Sequence, residues 1–526
     1  MFYLITFTIL YLAVTVYLGY LGYRRTTTVS DYLLAGRQVH PVTMALSYGS
    51  TYISTAAIIG FGGASALYGF SMSWLAFLNI IIGVWVAFVM FGKRTRKMGK
   101  ALDAHTFPEL LGRRYNSRFV QGFSGIIILV LMPLYTAAIL IGIARFIEVY
   151  LNIPFSTALL GFLLVIACYV LWGGLKGILY TSVFQGIIMI VSMIIVGVTT
   201  YSMSGGIVGA HKALTELAPL IPESFKAMGH RGFTSMPVAG SSMWWFVVTT
   251  MIMGVGIGVL GQPQLNIRFM TLKSDRDLNR SIPFTALFIL FTTGTAYVVG
   301  SLTNVVFYNA YTELPIQSVQ GNIDKIIPLY VERFYPQWFA SLFLVTLMAA
   351  AMSASSSQFL ATGSSLSRDI LEQALLRGKS VAETTIVTRI GIVFGIFATL
   401  LLGLLLPEGV VATATAFFFG LCGATFIPSY LFALYWKGGT KAGAKASILS
   451  GFFVSLFWMF FFHEHGSKAF GLCRWIFKCD TLAGLPWKMI DPQIVALPVS
   501  FVVFVAVSLV SAPVKDETLR KAFRHI

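Results

Sequence analysis

Apolar runs of about 20 residues recur along this chain from residue 2 to residue 512, each long enough for a helix to cross a lipid bilayer. No other feature narrows the fold as far. Thirteen such spans can be drawn, near 2–23, 42–68, 70–92, 119–144, 155–173, 177–203, 242–262, 281–308, 338–362, 386–406, 409–436, 446–463 and 492–512. Only 11% of the 526 residues are charged and 57% are hydrophobic, where a soluble domain carries roughly a quarter charged. The chain therefore reads as an all-α polytopic membrane protein resident in the cell membrane. Its first run, Phe2–Tyr23, is too long for a signal-peptide core and reads as a retained helix.

The net charge of +17 is explained by where the charges stand. With the N-terminus outside, about 27 of the 37 basic residues fall in inner loops, among them the clusters from Lys93 to Lys100 and from Arg113 to Arg118. This is the positive-inside pattern, with N-terminus out and C-terminus in, and it calls for membrane lipid as partner and for no nucleic acid. Cys168 and Cys422 lie in apolar spans. Cys473 and Cys479 share an outer loop, where a disulfide and two free thiols are both open. No Cys/His cluster has metal-ligand spacing, and His463 and His465 read as solvated loop residues. No nucleophile, carboxylate pair or metal set stands inside a span, which argues against an enzyme. Arg145 and Glu148, near the outer end of the fourth span, read as an intrahelical contact or an entrance feature.

Three spans break the apolar rule. The second, "MALSYGSTYISTAAIIGFGGASALYG", is polar and then glycine-rich. The seventh, "MIMGVGIGVLGQPQLNIRF", carries glycines at 254, 256, 258 and 261. The ninth runs into the serine-rich "AAMSASSSQFLATGSSLSRD", residues 350–369. Glycine interrupts helices, and an interrupted helix is tolerated in lipid only where protein or a water-filled cavity satisfies its backbone. Spans 2 and 7 lie five apart, which points to two inverted five-helix repeats of a transporter. The expected organisation is residues 1–41 as first helix and inner loop, 42–203 as first repeat, 204–241 as outer loop, 242–436 as second repeat, and 437–526 as two further helices with a basic tail. The segments "GAHKALTELAPLI" and "IDKIIPLYVERFYP" read as amphipathic helices on the outer face.

Four motifs in order and register, "SDYLLAGRQVHP", "GGLKGILYTSVFQG", "GQPQLNIRFM" and "SSLSRDIL", together with the thirteen-span plan, resemble the sodium:solute symporter family over about residues 1–440. The likeness favours its proline, pantothenate and monocarboxylate branch over its sugar branch. It implies the leucine-transporter fold and a sodium cage of backbone carbonyls and hydroxyls between spans 2 and 9. Matched residue by residue, the carbonyls fall on Ser50, Ile53 and Ala350 and the first hydroxyl on Ser353. The second hydroxyl position is Ala354, and the acidic residue usual in the span 6 motif is replaced by Ser182. Both departures weaken a sodium site, so sodium, taken as co-substrate, stands beside proton coupling or uncoupled exchange. Arg37 and Asp369 also match family motifs and belong to cytoplasmic structure or gating, and Arg268 is expected to cap the inner face.

The same resemblance places solute candidates at the two breaks: Tyr52, Thr55, Ala56 and Ala57 on span 2, Trp74 and Asn79 on span 3, and Gly256, Gly258, Gln262 and Gln264 on span 7. Tyr52 and Ala57 stand where sugar carriers present Asn and Gln. A sugar needs partners for most of its hydroxyls, so the expected cargo is a small solute with one charged end, a monocarboxylate, a pantothenate-like acid or an amino acid, held by amides freed at a helix break. A transporter-like sensor is the alternative of another class, but the 15 or so residues after span 13 leave it no output domain.

Overall fold

The computed structural model describes residues 2–26, 28–375 and 384–524. Among them eleven helical runs are long and apolar enough to cross a membrane, and β-structure amounts to one isolated bridge between Val39 and Leu272. Spans 2 and 5 account for the difference from thirteen. Span 5 is a shorter apolar stretch, Phe155–Cys168. Span 2 is divided: Pro41–Tyr52 is one helix, and a second, Phe61–Tyr68, joins the run of span 3. At the turn between Tyr68 and span 3 Gly69 has φ +63°, and a Cβ there would stand 2.0 Å from the Phe233 carbonyl oxygen, so both the backbone angle and the space require glycine.

Residues Phe155–Met203 are helical throughout, yet 49 residues at 1.5 Å each are far too long for one crossing. Contacts show that the run doubles back. Ala158 lines a groove with Leu4, Leu344 and Met348, and the Thr200 hydroxyl meets those of Tyr330 and Tyr335, so both ends reach the beginning of the helix Gln337–Ser364. Lys176, midway, lies at the other end of the first helix, bonded to Asp31 (2.6 Å). Two spans thus meet near residue 175.

Burial separates centre from rim. The most apolar window of the Gln337–Glu372 run is 94% buried, that of Val411–Tyr435 89% and that of Arg118–Leu151 78%, against 11% for Phe2–Arg24. The serine-rich helix is the axle of the bundle, and the first and last helices face lipid. Of the segments expected as outer amphipathic helices, the first overlaps the helix Gly206–Glu216 and the second contains the helix Ile326–Phe334.

One expectation about a polar residue is corrected and another extended. His463 is not solvated: it is fully buried and edge-on to the Phe417 ring at 4.8 Å. Arg145 makes the intrahelical contact, to Glu148 (2.8 Å), and its guanidinium also bonds Glu408 (3.0 Å), which precedes Val411–Tyr435. Cys473 and Cys479 are free thiols with sulfurs 3.8 Å apart.

Candidate functional site

The first break lies where sequence composition places it. Pro41–Tyr52 ends at Ile53, whose ψ of 105° leaves the helical ladder, and helical turns resume as a π segment at Ala56–Gly60. The last-turn carbonyls are thereby available to other donors. The Ser50 carbonyl accepts the Ser353 hydroxyl at 2.6 Å, and the same hydroxyl lies 3.2 Å from the Ala350 carbonyl. Ser50, Ala350 and Ser353, three oxygens from two helices, are brought together at the centre of the bundle, with Ile53 at the bend. Ala354 is fully buried beside them and adds no side-chain oxygen. Ser182 is also fully buried, and its hydroxyl has no hydrogen-bond partner among the described residues.

Four further hydroxyls of the serine-rich helix turn inward on the helix itself. Ser355 donates to the Ala351 carbonyl, Ser356 to Ser353, Thr362 to Gln358 and Ser364 to Ala361. Such i−3 and i−4 bonds satisfy the hydroxyl locally, so most of these serines make a polar helix without making a ligand. Ser353 and Ser357 reach across to other helices, as do Thr346, to Ser192 (2.6 Å), and Ser341, to Tyr150 (2.8 Å).

Around the same break stands a ring of aromatic groups. The Tyr52 hydroxyl donates to Asn79 Oδ1 at 2.6 Å, and its ring stacks on Phe419 at 6.1 Å. Tyr135 packs against Phe419 at 5.2 Å and stacks on Phe418 at 4.9 Å. The Ser54 and Tyr135 hydroxyls are 3.4 Å apart, and Thr55 donates to the Ile139 carbonyl at 2.5 Å. Ala57 lies in the same core, while Ala56 packs on Ile141 and Val411. Sequence patterning does not single out Tyr135, Phe418 or Phe419, because aromatic residues make up 14% of the chain and carry no local signature. Trp74 is brought elsewhere: it is 51% exposed and packs edge-on against Phe77.

The second break is at Gln262, with ψ 111°, just before Pro263, as the steric demand of proline on its predecessor requires. The glycines upstream serve contact. A Cβ on Gly258 would stand 2.3 Å from the Phe419 carbonyl oxygen, one on Gly261 2.6 Å from that of Cys422, and one on Gly256 2.7 Å from the Leu78 side chain. Gln262 donates to the Gly258 carbonyl (3.3 Å) and Gln264 to Gln262 Oε1 (3.1 Å), so the glutamines bind their own turn.

Arg268 corrects a further expectation. It does not cap a water-facing surface: its side chain is buried, 1% exposed. The guanidinium donates to the hydroxyls of Ser47, Thr51 (2.6 Å) and Ser357 (2.7 Å). It borders a cavity of about 30 Å³ lined also by Gln264, Ser364 and Thr106, room for about one water molecule. On the same side Asp369 accepts from Thr106 (2.6 Å) and Gln121 (3.0 Å), and Arg37 donates to the Ala104 carbonyl (2.8 Å). The Glu109 carboxyl, which burial alone would raise, is held below its ordinary range by Arg368 and Arg113.

The family model described as the sodium:solute symporter family matches residues 32–451. A sodium/proline symporter of Staphylococcus aureus (strain USA300 / TCH1516) is 28% identical over 478 residues, covering 88% of this chain and 87% of that one. The osmoregulated proline transporter OpuE of Bacillus subtilis (strain 168) is 26% identical over 454 residues, covering 86% and 87%. Among solved structures, a sodium-coupled sialic acid symporter in a substrate-bound outward-open state superposes with a TM-score of 0.76 at 16% identity, over 98% of this chain and 99% of the other. That likeness is one of fold, the leucine-transporter type with its inverted five-helix repeat.

Proposed function

The chain belongs to the sodium:solute symporter family, and from that premise we propose that it carries proline, or a small amino acid close to it, into the cell together with sodium. It is a multi-pass protein of the cell membrane and a transporter, not an enzyme. The observation that carries the reading is the adjacency at the first break: an oxygen cluster of Ser50, Ala350 and Ser353 beside an aromatic ring of Tyr52, Tyr135 and Phe419. Carbonyls and a hydroxyl suit a small hard cation. Aromatic faces suit a compact apolar ring, and one polar handle, Tyr52 with Asn79, suits a solute with few hydrogen-bonding groups. The proline carriers among the relatives point the same way.

In this reading sodium and solute bind near the midplane, a helix bundle rocks against the scaffold, and both leave on the side of the basic loops, which is the cytoplasm. Ser50, Ile53, Ala350 and Ser353 hold the cation. Tyr52, Thr55, Ala57 and the neighbouring aromatics face the solute.

Uptake of radiolabelled L-proline into proteoliposomes tests it. An inward sodium gradient should drive accumulation that potassium or choline gradients do not, and excess unlabelled proline should compete. Accumulation of a monocarboxylate or pantothenate, with proline inert, would overturn the assignment of the solute. A second reading, proton coupling on the same fold, is favoured by Ala354, which supplies no oxygen where a second hydroxyl is expected. Accumulation driven by a pH gradient without sodium would establish it.

A further inference from the structure

We propose that Arg268 is the bolt of the inner gate, a positioning residue that clasps the two cation-bearing helices together and, by its charge, keeps the bound cation weakly held so that it can leave inward. This rests on the cation reading of the Ser353 cluster.

The geometry has three parts. First, the guanidinium spans both helices that form the cluster: Ser47 and Thr51 lie on Pro41–Tyr52, just before the bend, and Ser357 lies one turn beyond Ser353. Second, a short relay joins it to the cluster. Arg268 donates to Ser357, Ser357 donates to the Ser353 carbonyl (3.2 Å), and the Ser353 hydroxyl donates to the Ser50 carbonyl (2.6 Å). Third, Arg268 and Ser357 border the cavity that continues toward Ser364 on the side of the basic loops. The bolt therefore stands between the cluster and that cavity.

The chemistry of the contacts separates a bolt from a brace. Among the described residues each side-chain hydrogen-bond partner of Arg268 is a neutral hydroxyl, and it takes part in no ion pair. A buried charge is costly unless its surroundings compensate it. A brace between two helices needs only a neutral donor. A positive charge this close to a cation cluster in a poorly solvated interior repels the cation, and it acts on the release side. Inward release then requires the fork to let go of Ser47, Thr51 and Ser357 together, which frees the two helices to part.

The test uses the purified full chain carrying Ser364→Cys, with two readouts. Thermal unfolding against sodium chloride, at ionic strength held constant with choline chloride, gives the sodium midpoint. The rate of alkylation by a maleimide, quantified by mass spectrometry at residue 364, gives opening of the gate. Arg268→Gln removes charge and fork, and should lower the sodium midpoint at least threefold and raise the alkylation rate at least fivefold. Arg268→Lys keeps the charge and loses the fork, so alkylation should rise while the sodium midpoint stays within twofold. Should Arg268→Gln fail to fold, Ser357→Ala, which deletes one acceptor, should raise alkylation at least twofold. Alkylation unchanged in Arg268→Lys and Ser357→Ala would overturn the bolt, and an unchanged sodium midpoint in Arg268→Gln would overturn the role of its charge. If sodium does not stabilise the parent chain, the cation reading fails, and the alkylation rates alone decide the bolt.

Discussion

Two membrane helices are interrupted with almost the same bend, ψ 105° at Ile53 and ψ 111° at Gln262, and the chain uses the two bends differently. The bend at Ile53 gives its freed groups away. The Ser50 carbonyl goes to Ser353, and Thr55 reaches the Ile139 carbonyl. The bend at Gln262 keeps its groups at home, since Gln262 and Gln264 bond to their own turn. What the second helix offers its neighbours is proximity, through Gly258 and Gly261 against the backbone of Val411–Tyr435. One break presents chemistry. The other presents a flat face and, five residues beyond its proline, a buried arginine. Symmetry of backbone in an inverted repeat does not carry symmetry of function.

The contrast can be broken most severely at the flat face. Gly258→Val places carbon atoms against the Phe419 carbonyl and should prevent accumulation of folded protein, since overpacking of this kind costs about 1–3 kcal/mol or more. Loss of the monodisperse peak in detergent gel filtration is the expected result, and a normal peak with an unchanged unfolding midpoint would mean that the helices do not approach as described. At the first bend the effect should fall on transport. Ser353→Ala should reduce sodium-driven uptake on the order of tenfold or more, as for a loss of about 1.4 kcal/mol, with the unfolding midpoint in choline chloride shifted by only a few degrees.

The flat face should also show a pH dependence that the first bend lacks. Asp491, buried next to Gly254 and Gly420, has its carboxyl pushed up to about 8 by burial, although it accepts the Gln493 N–H at 2.8 Å. Its folded value lies above the unfolded one, so the fold holds a proton that the unfolded chain releases. Stability from this group is therefore full below about pH 4 and falls as pH rises towards 8. Asp491→Asn should flatten that slope in thermal unfolding scans, and a slope unchanged by the substitution would assign it to another group. The smallest effect is expected at Tyr52→Phe, which removes one donor to Asn79 and should raise the KM for the solute roughly three- to tenfold with kcat little changed.

The bundle itself was legible in sequence because lipid tolerates so few backbones: apolar runs, basic loops and two interruptions five spans apart leave little choice. The oxygen cluster was legible through Ser353, whose neighbours in the chain form a recognisable motif. The aromatic ring was not, because Phe419 resembles any other phenylalanine of an apolar helix until the fold sets it opposite Tyr52. The burial of Arg268 was hidden for a related reason. An arginine after a helix-ending proline reads as the water boundary, and only the tertiary arrangement shows Ser47, Thr51 and Ser357 gathered around it. His463 followed the same pattern, since its loop position said nothing of Phe417 closing over it.

The Ser353 hydroxyl has two acceptors within reach, the Ser50 carbonyl at 2.6 Å and the Ala350 carbonyl at 3.2 Å. Turning its hydrogen from the first to the second exposes an oxygen lone pair and releases the Ser50 carbonyl without displacing either helix. Such a rotor turns in picoseconds to nanoseconds, whereas helices rock in microseconds to milliseconds. The hydrogen-bond pattern of this cluster can therefore change many times over before the bundle moves once, and no helix has to shift for it to do so.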